Sequence, residues 1–126
     1  MRIMHIALWV SDIEKMRKFY CLYFKAEASD KYINPLKQFS SYFLSFQDGA
    51  RLEIMNKPGL ESPLQSMVTG WAHIAFSAGS KNAVNELTEK LRSDDYTIAG
   101  EPRTTGDGYY ESVVLDPEGN QIEITV

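Results

Sequence analysis

The sequence predicts an α+β fold built from two β-α-β-β-β modules, and three observations carry that expectation. An apolar run holding a histidine, "IMHIALWV" at residues 3–10, returns in the second half as "GWAHIAFS" at residues 70–77. Each run leads into a segment with helical apolar spacing behind a capping residue. Each of those is followed by short β-type runs separated by turn residues, so one order of elements occurs twice. A repeat of about half the chain is too long for a solenoid unit and suits two related modules.

In the first half, Ser11 and Glu14 stand at the Ser-x-x-Glu spacing of a capping box, which predicts a helix start there. Ile13, Met16, Phe19, Tyr20, Tyr23 and Phe24 then recur on one helical face through about three turns. One short strand is expected within Ala28–Ile33, and the runs around Asp48-Gly49 predict a tight hairpin, because both positions of that dipeptide tolerate positive φ. Residues 57–69 hold Pro58, Gly59 and Pro63 without periodicity and read as a linker. The chain is thus expected to be one domain, 1–126, with modules 1–56 and 70–126. In the second module Ser80 can cap a helix whose apolar stripe is Ala83, Val84, Leu87 and Leu91. "YTIAG" is a short strand, and "YYESVVL" and "QIEITV" are strands joined by the turn Asp116-Pro117-Glu118-Gly119-Asn120, whose residues look structural.

The composition, 44% hydrophobic and 12% aromatic, is enough for a packed core. A formal charge of −4 comes from 17 acidic and 13 basic residues scattered along the chain, so no basic stripe offers itself to nucleic acid. The one cysteine, Cys21, excludes an internal disulfide and is expected as a small buried residue in a reducing compartment. With no room for a signal peptide ahead of the first strand and no apolar stretch near the ~20 residues of a membrane span, the expectation is a cytoplasmic protein without membrane contact.

Four polar residues fall at equivalent places in the two halves. His5 and His73 lie in the first strand of each, Glu53 and Glu123 in the last. Strand alternation sends Leu52 and Ile54, and likewise Ile122 and Ile124, to the helix-covered side, leaving Glu53 and Glu123 on the other. Met4, Ile6 and Leu8 similarly leave His5 opposite the helix. A lone strand histidine or an exposed sheet glutamate is usually ordinary; four such residues at duplicated positions are not. Two imidazoles and two carboxylates suit a divalent ion such as Zn, Ni, Co, Mn or Fe, with one or two positions left for water or substrate.

The segments "MRIMHIALWVSDIEKMRKFY", "RLEIM", "GWAHIAFS" and "DPEGNQIEI" resemble the glyoxalase/bleomycin-resistance/extradiol-dioxygenase superfamily over essentially the whole chain. The resemblance implies a cupped mixed sheet around a metal, with the helices on the outer face. Possession of His5, Glu53, His73 and Glu123 together is similar to the glyoxalase I branch. That branch implies a metal-dependent lyase or isomerase acting on a small oxygenated substrate, a methylglyoxal–thiol hemithioacetal, through an enediolate-type intermediate. The histidines would anchor the metal, Glu123 would be the principal base and Glu53 its counterpart. The resemblance also implies a homodimer with sites shared between chains and a low-molecular-weight thiol as co-substrate.

Trp9 stands where that branch has an arginine for the glutathione carboxylate, so the identity of the thiol stays open. On strand alternation Trp9 shares a face with His5 and Arg51 shares one with Glu53. They could form an aromatic wall beside an anion-binding guanidinium; packing at a dimer contact and pairing with a nearby acid are the alternatives. A Gly106-Asp107-Gly108 turn would bring Tyr109 and Tyr110 beside the cup, with Tyr110 on the face of Ser112, able to orient a substrate oxygen; packing in a half-buried strand is the alternative, and the expected role of Tyr109. Thiol transfer to a fosfomycin-like electrophile is a competing reading, but it needs a cluster of basic residues that the sequence lacks. A non-catalytic binding or resistance protein is another, which the intact ligand set opposes. Ring-cleaving dioxygenase chemistry would need a further histidine or tyrosine at the oxygen site, and both histidines are assigned.

Overall fold

The structure is a computed structural model that describes residues 3–60, 71–106 and 108–126. Much of the expected linker, residues 61–69, and the central Asp107 of the expected glycine turn lie outside the described residues. The chain folds as two compact units, Met1–Met67 and Val68–Val126.

The first unit runs β1 (His5–Trp9), α1 (Ile13–Phe24), β2 (Glu27–Ala28), β3 (Tyr32–Asn34), β4 (Phe39–Ser45) and β5 (Arg51–Asn56). Its sheet has the order β1-β5-β4-β2, with β3 also on β4; β1 and β5 are parallel and the remaining pairs antiparallel. The second unit runs β6 (Ile74–Ser77), α2 (Lys81–Ser93), β7 (Ile98–Thr104), β8 (Tyr110–Leu115) and β9 (Gln121–Thr125). Its sheet order is β6-β9-β8-β7, again with the first and last strands parallel. A parallel pair cannot be closed by a hairpin, so the crossover between first and last strand is formed by the helix and three further strands in the first unit and by the helix and two in the second.

Each helix covers one sheet face. In α1 the side chains of Met16, Phe19 and Tyr20 are fully or almost fully buried, against a sheet face that includes Leu44, Leu52 and Ile54. In α2 it is Val84, Thr88 and Leu91, against Val114, Ile122 and Ile124. Thr88 is a polar residue in an apolar stripe, and its hydroxyl donates to the Val84 carbonyl and lies 2.7 Å from the Ser112 hydroxyl, so the buried pair satisfies itself.

Several local expectations change. The N-cap of α1 is Asp12, whose carboxylate accepts from Lys15 N at 2.9 Å, not Ser11. The expected single strand within Ala28–Ile33 is two pieces, β2 and β3. The 48–49 hairpin is a longer loop over residues 46–50 in which Gly49 has φ 83° and Asp48 does not take a positive φ. Met4 is exposed ahead of β1, and Cys21 is half-exposed instead of buried. Ser80 caps α2 as expected, accepting from Ala83 N at 3.2 Å. The turn after β8 is organised by Asp116, whose carboxylate accepts from Glu118 N, Asn120 N and Asn120 Nδ2.

Freed from the cap, Glu14 joins α1 to the sheet. Its carboxylate accepts from Lys31 Nζ at 3.1 Å, Tyr42 Oη at 2.9 Å and Arg17 Nε at 3.2 Å. The hydrogen bonds from Lys31 and then Tyr42 hold its pKa down at about 2. An unfolded glutamate still binds protons between that value and its ordinary pKa, so stability rises with pH across this window. Glu14→Gln is expected to lower stability at neutral pH by about 1 kcal/mol or less, since the side chain is 44% exposed and water screens its ion pairs. The deficit should shrink as pH falls from about 4.5 and vanish near 2; thermal melts of both proteins over that range test it.

Candidate metal centre

His5 opens β1 and is registered against Arg51 of the parallel strand β5, while Ala7 is registered against Glu53. The neighbours of Glu53 in the strand, Leu52 and Ile54, are buried under α1. Alternation therefore turns Glu53 to the open face, where its Oε2 lies 3.8 Å from His5 Nε2. The edge of the His5 ring meets the face of Phe43, or the reverse, at 5.4 Å between centroids and 87°. The buried His5 Nδ1 has no hydrogen-bond partner among the described residues.

The second unit repeats this construction. Ala75 is registered against Glu123, whose neighbours Ile122 and Ile124 are fully buried. His73 Nε2 lies 3.2 Å from Glu123 Oε2. One detail differs from expectation: β6 starts at Ile74, so His73 is the residue just ahead of the strand instead of within it. In both units the residue opposite the glutamate is an alanine, which leaves the space over it to the histidine two positions earlier.

The donor types suit a divalent ion, and so does the spacing of one of the two pairs. Two donors about 2.1 Å from a common ion at angles near 90–110° are about 3.0–3.4 Å apart. The His73–Glu123 pair falls in that range and the His5–Glu53 pair is slightly wider. Imidazole nitrogen and carboxylate oxygen are also the ligand types that such ions take. Among the described residues no group of three or more His, Cys, Asp or Glu side chains lies together, so the four residues come as two pairs.

The other sequence candidates divide. Trp9 is 44% exposed, set edge-to-face with Phe39 and carrying Lys57 Nζ 4.5 Å from its ring centroid. The Arg51 guanidinium stands 4.3 Å over the Phe43 ring. Tyr110 is a correction. Its hydroxyl donates to Asn85 Oδ1 of α2 at 2.8 Å and Lys81 of the same helix covers its ring, so it lies on the helix side of β8 and not with Glu123. Ser112 is on that side too, and Tyr109 is 60% exposed. The open face of β8 instead holds Val113, registered against Glu123, and Glu111, whose carboxylate is 3.9 Å from Arg103. The sequence reading passed over Phe43, Glu111 and Arg103. The available signal was the phase of β8, set by counting back from Val114, but adjacent Val113 and Val114 make that phase ambiguous.

Residues 2–124 match the sequence profile of the Glyoxalase/Bleomycin resistance protein/Dioxygenase superfamily. The chain belongs to this superfamily. The chain is 32% identical over 125 residues to the uncharacterized protein YqjT of Bacillus subtilis (strain 168), covering 95% of this chain and 94% of that protein. Among solved structures it is similar to the trypanothione-dependent glyoxalase I of Leishmania major, with 25% identity, a TM-score of 0.80, and coverage of 99% of this chain and 86% of that one. It is also similar to a possible glyoxalase from Bacillus cereus, with 24% identity, a TM-score of 0.73, and coverage of 100% and 99%. Glyoxalase I from Zea mays superposes with a TM-score of 0.78 at 23% identity; this chain covers 98% of itself but spans only 44% of the maize protein. The fold is glyoxalase-like, a mixed α+β arrangement of two sheets. No helix among the described residues is long and apolar enough to cross a membrane.

Proposed function

We propose that this superfamily member is a cytoplasmic, homodimeric, metal-dependent lyase or isomerase of the glyoxalase I type, with sites shared between chains. What carries this reading is the repetition of one His–Glu pair at the same register in both units. His5, Glu53, His73 and Glu123 would hold a divalent ion of the Ni, Co, Zn, Mn or Fe kind. When bound, such an ion polarises substrate oxygens and stabilises negative charge developing on them. The substrate is a small oxygenated compound such as the hemithioacetal of methylglyoxal and a low-molecular-weight thiol. Glu123 takes a proton from one carbon and returns it to the adjacent one, and Glu53 is its counterpart on the other face of the substrate. His5 and His73 position the ion.

Elemental analysis of the purified protein after metal repletion tests the reading, run beside His5→Ala and His73→Ala and followed by isomerisation assays with several thiols. One ion per chain in the parent, well under one in either variant, and turnover with some thiol adduct are expected. If metal binds without turnover, the assignment as an isomerase falls. Absence of metal leaves a non-catalytic binding protein.

A further inference from the structure

Four cations of the first unit lie over aromatic rings, and two of them, Arg17 and Lys31 over Tyr42, are also paired with Glu14. Arg51 lies over Phe43 and Lys57 over Trp9, and among the described residues neither has a carboxylate within ion-pair distance. For Arg51 this matters because of its position. It is half-buried, it faces His5 directly in the register, and it stacks on the same ring whose other contact is His5. A guanidinium held over a ring with no carboxylate partner among the described residues keeps its N–H fork available to bind a carboxylate bidentately. Four residues along β1 from His5, about 13 Å for an extended strand, Trp9 presents exposed indole surface bordered by Phe39, which in turn meets Tyr32 at 6.1 Å. The only β1 side chain on this face between them is Ala7, too small to block the path.

The geometry points to a substrate that is a carboxylate with a flat, apolar body, its charged end on Arg51 and its body along Ala7 to Trp9. The inference rests on the reading that the open face of this unit receives the substrate of the His5–Glu53 pair, and it names the class. Charge agrees beside β1: Arg51 and Lys57 stand near the carboxylate of Glu53, which a bound cation would neutralise, while the other open-face carboxylate of this sheet, Glu27, lies on the far strand β2. Trp9 and Arg51 then act as specificity residues, one reading the body and the other the charge.

The probes are 4-phenylbutyrate, its neutral amide and butyrate, titrated into the metal-repleted protein and again with chelator present. Trp71→Phe leaves Trp9 as the only tryptophan, so indole fluorescence reports occupancy; calorimetry serves for Trp9→Ala. The acid is expected to bind about tenfold tighter than the amide and about tenfold tighter than butyrate. Arg51→Gln should bring the acid-to-amide ratio close to one while keeping the preference for the phenyl group, and Trp9→Ala should do the reverse. Equal binding of acid and amide, or an unchanged ratio in Arg51→Gln, overturns the proposal. So does indole fluorescence that ignores the probes and responds to dilution, which would make Trp9 a contact between copies. Metal content of the same samples is read separately: selective binding without metal would sink the isomerase and spare this inference, and metal without selectivity would do the opposite.

Discussion

Glu123→Gln is expected to lower isomerisation turnover by about 10²–10⁴-fold, the range that a positioned general base contributes. Glutamine keeps the shape of the side chain and a carbonyl oxygen able to ligate, but it cannot accept the substrate proton. The loss should therefore fall mainly on kcat, with metal content close to that of the parent. Comparing kcat, KM and bound metal in the two proteins separates a missing base from a missing ligand. A kcat within a few-fold of the parent would remove Glu123 from the role of base and shift it to Glu53, for which Glu53→Gln is the matching experiment.

Phe19→Ala should have the largest effect on stability, about 3–5 kcal/mol. Phe19 is 2% exposed on the buried face of α1 and its ring meets those of Tyr20, Tyr23 and Phe24 at 5.2–5.7 Å. Alanine would leave a cavity among three bulky rings that cannot all turn to fill it. Urea unfolding measures the loss, and a change below about 1 kcal/mol would mean that the helix repacks. Because α1 backs the sheet that carries Glu53, metal affinity is expected to weaken alongside stability in this variant although Phe19 is remote from any ligand.

Those elements whose cues are local were legible in the sequence. Ser80 caps its helix because the serine precedes a clear apolar stripe, and Asp116 builds its turn from amides within four residues. The placement of Glu53 and Glu123 on the open faces followed from Leu52, Ile54, Ile122 and Ile124, since a polar residue between two isoleucine-like neighbours fixes the phase of a strand. Where a partner lies far along the chain, the reading fails. Glu14 has the local spacing of a capping-box residue, yet its carboxylate is taken by Tyr42, 28 residues on, a partner that no local pattern indicates. Ser112 and Tyr110 do share one face of β8, but it is the helix-covered face, fixed by Thr88 and Asn85 of α2, 24 and 25 residues earlier in the chain.

The parallel pairing of first and last strand in each unit has a kinetic meaning. His5 meets Glu53, and His73 meets Glu123, only after the intervening helix and strands have folded back, so each donor pair belongs to the contacts of greatest sequence separation in its unit. Such contacts carry the largest loop-closure cost and tend to form late. An ion held by late-forming contacts would leave the folding rate nearly unchanged and act on the reverse step, lengthening the lifetime of the folded chain. Metal supply would then decide how long each molecule persists once made.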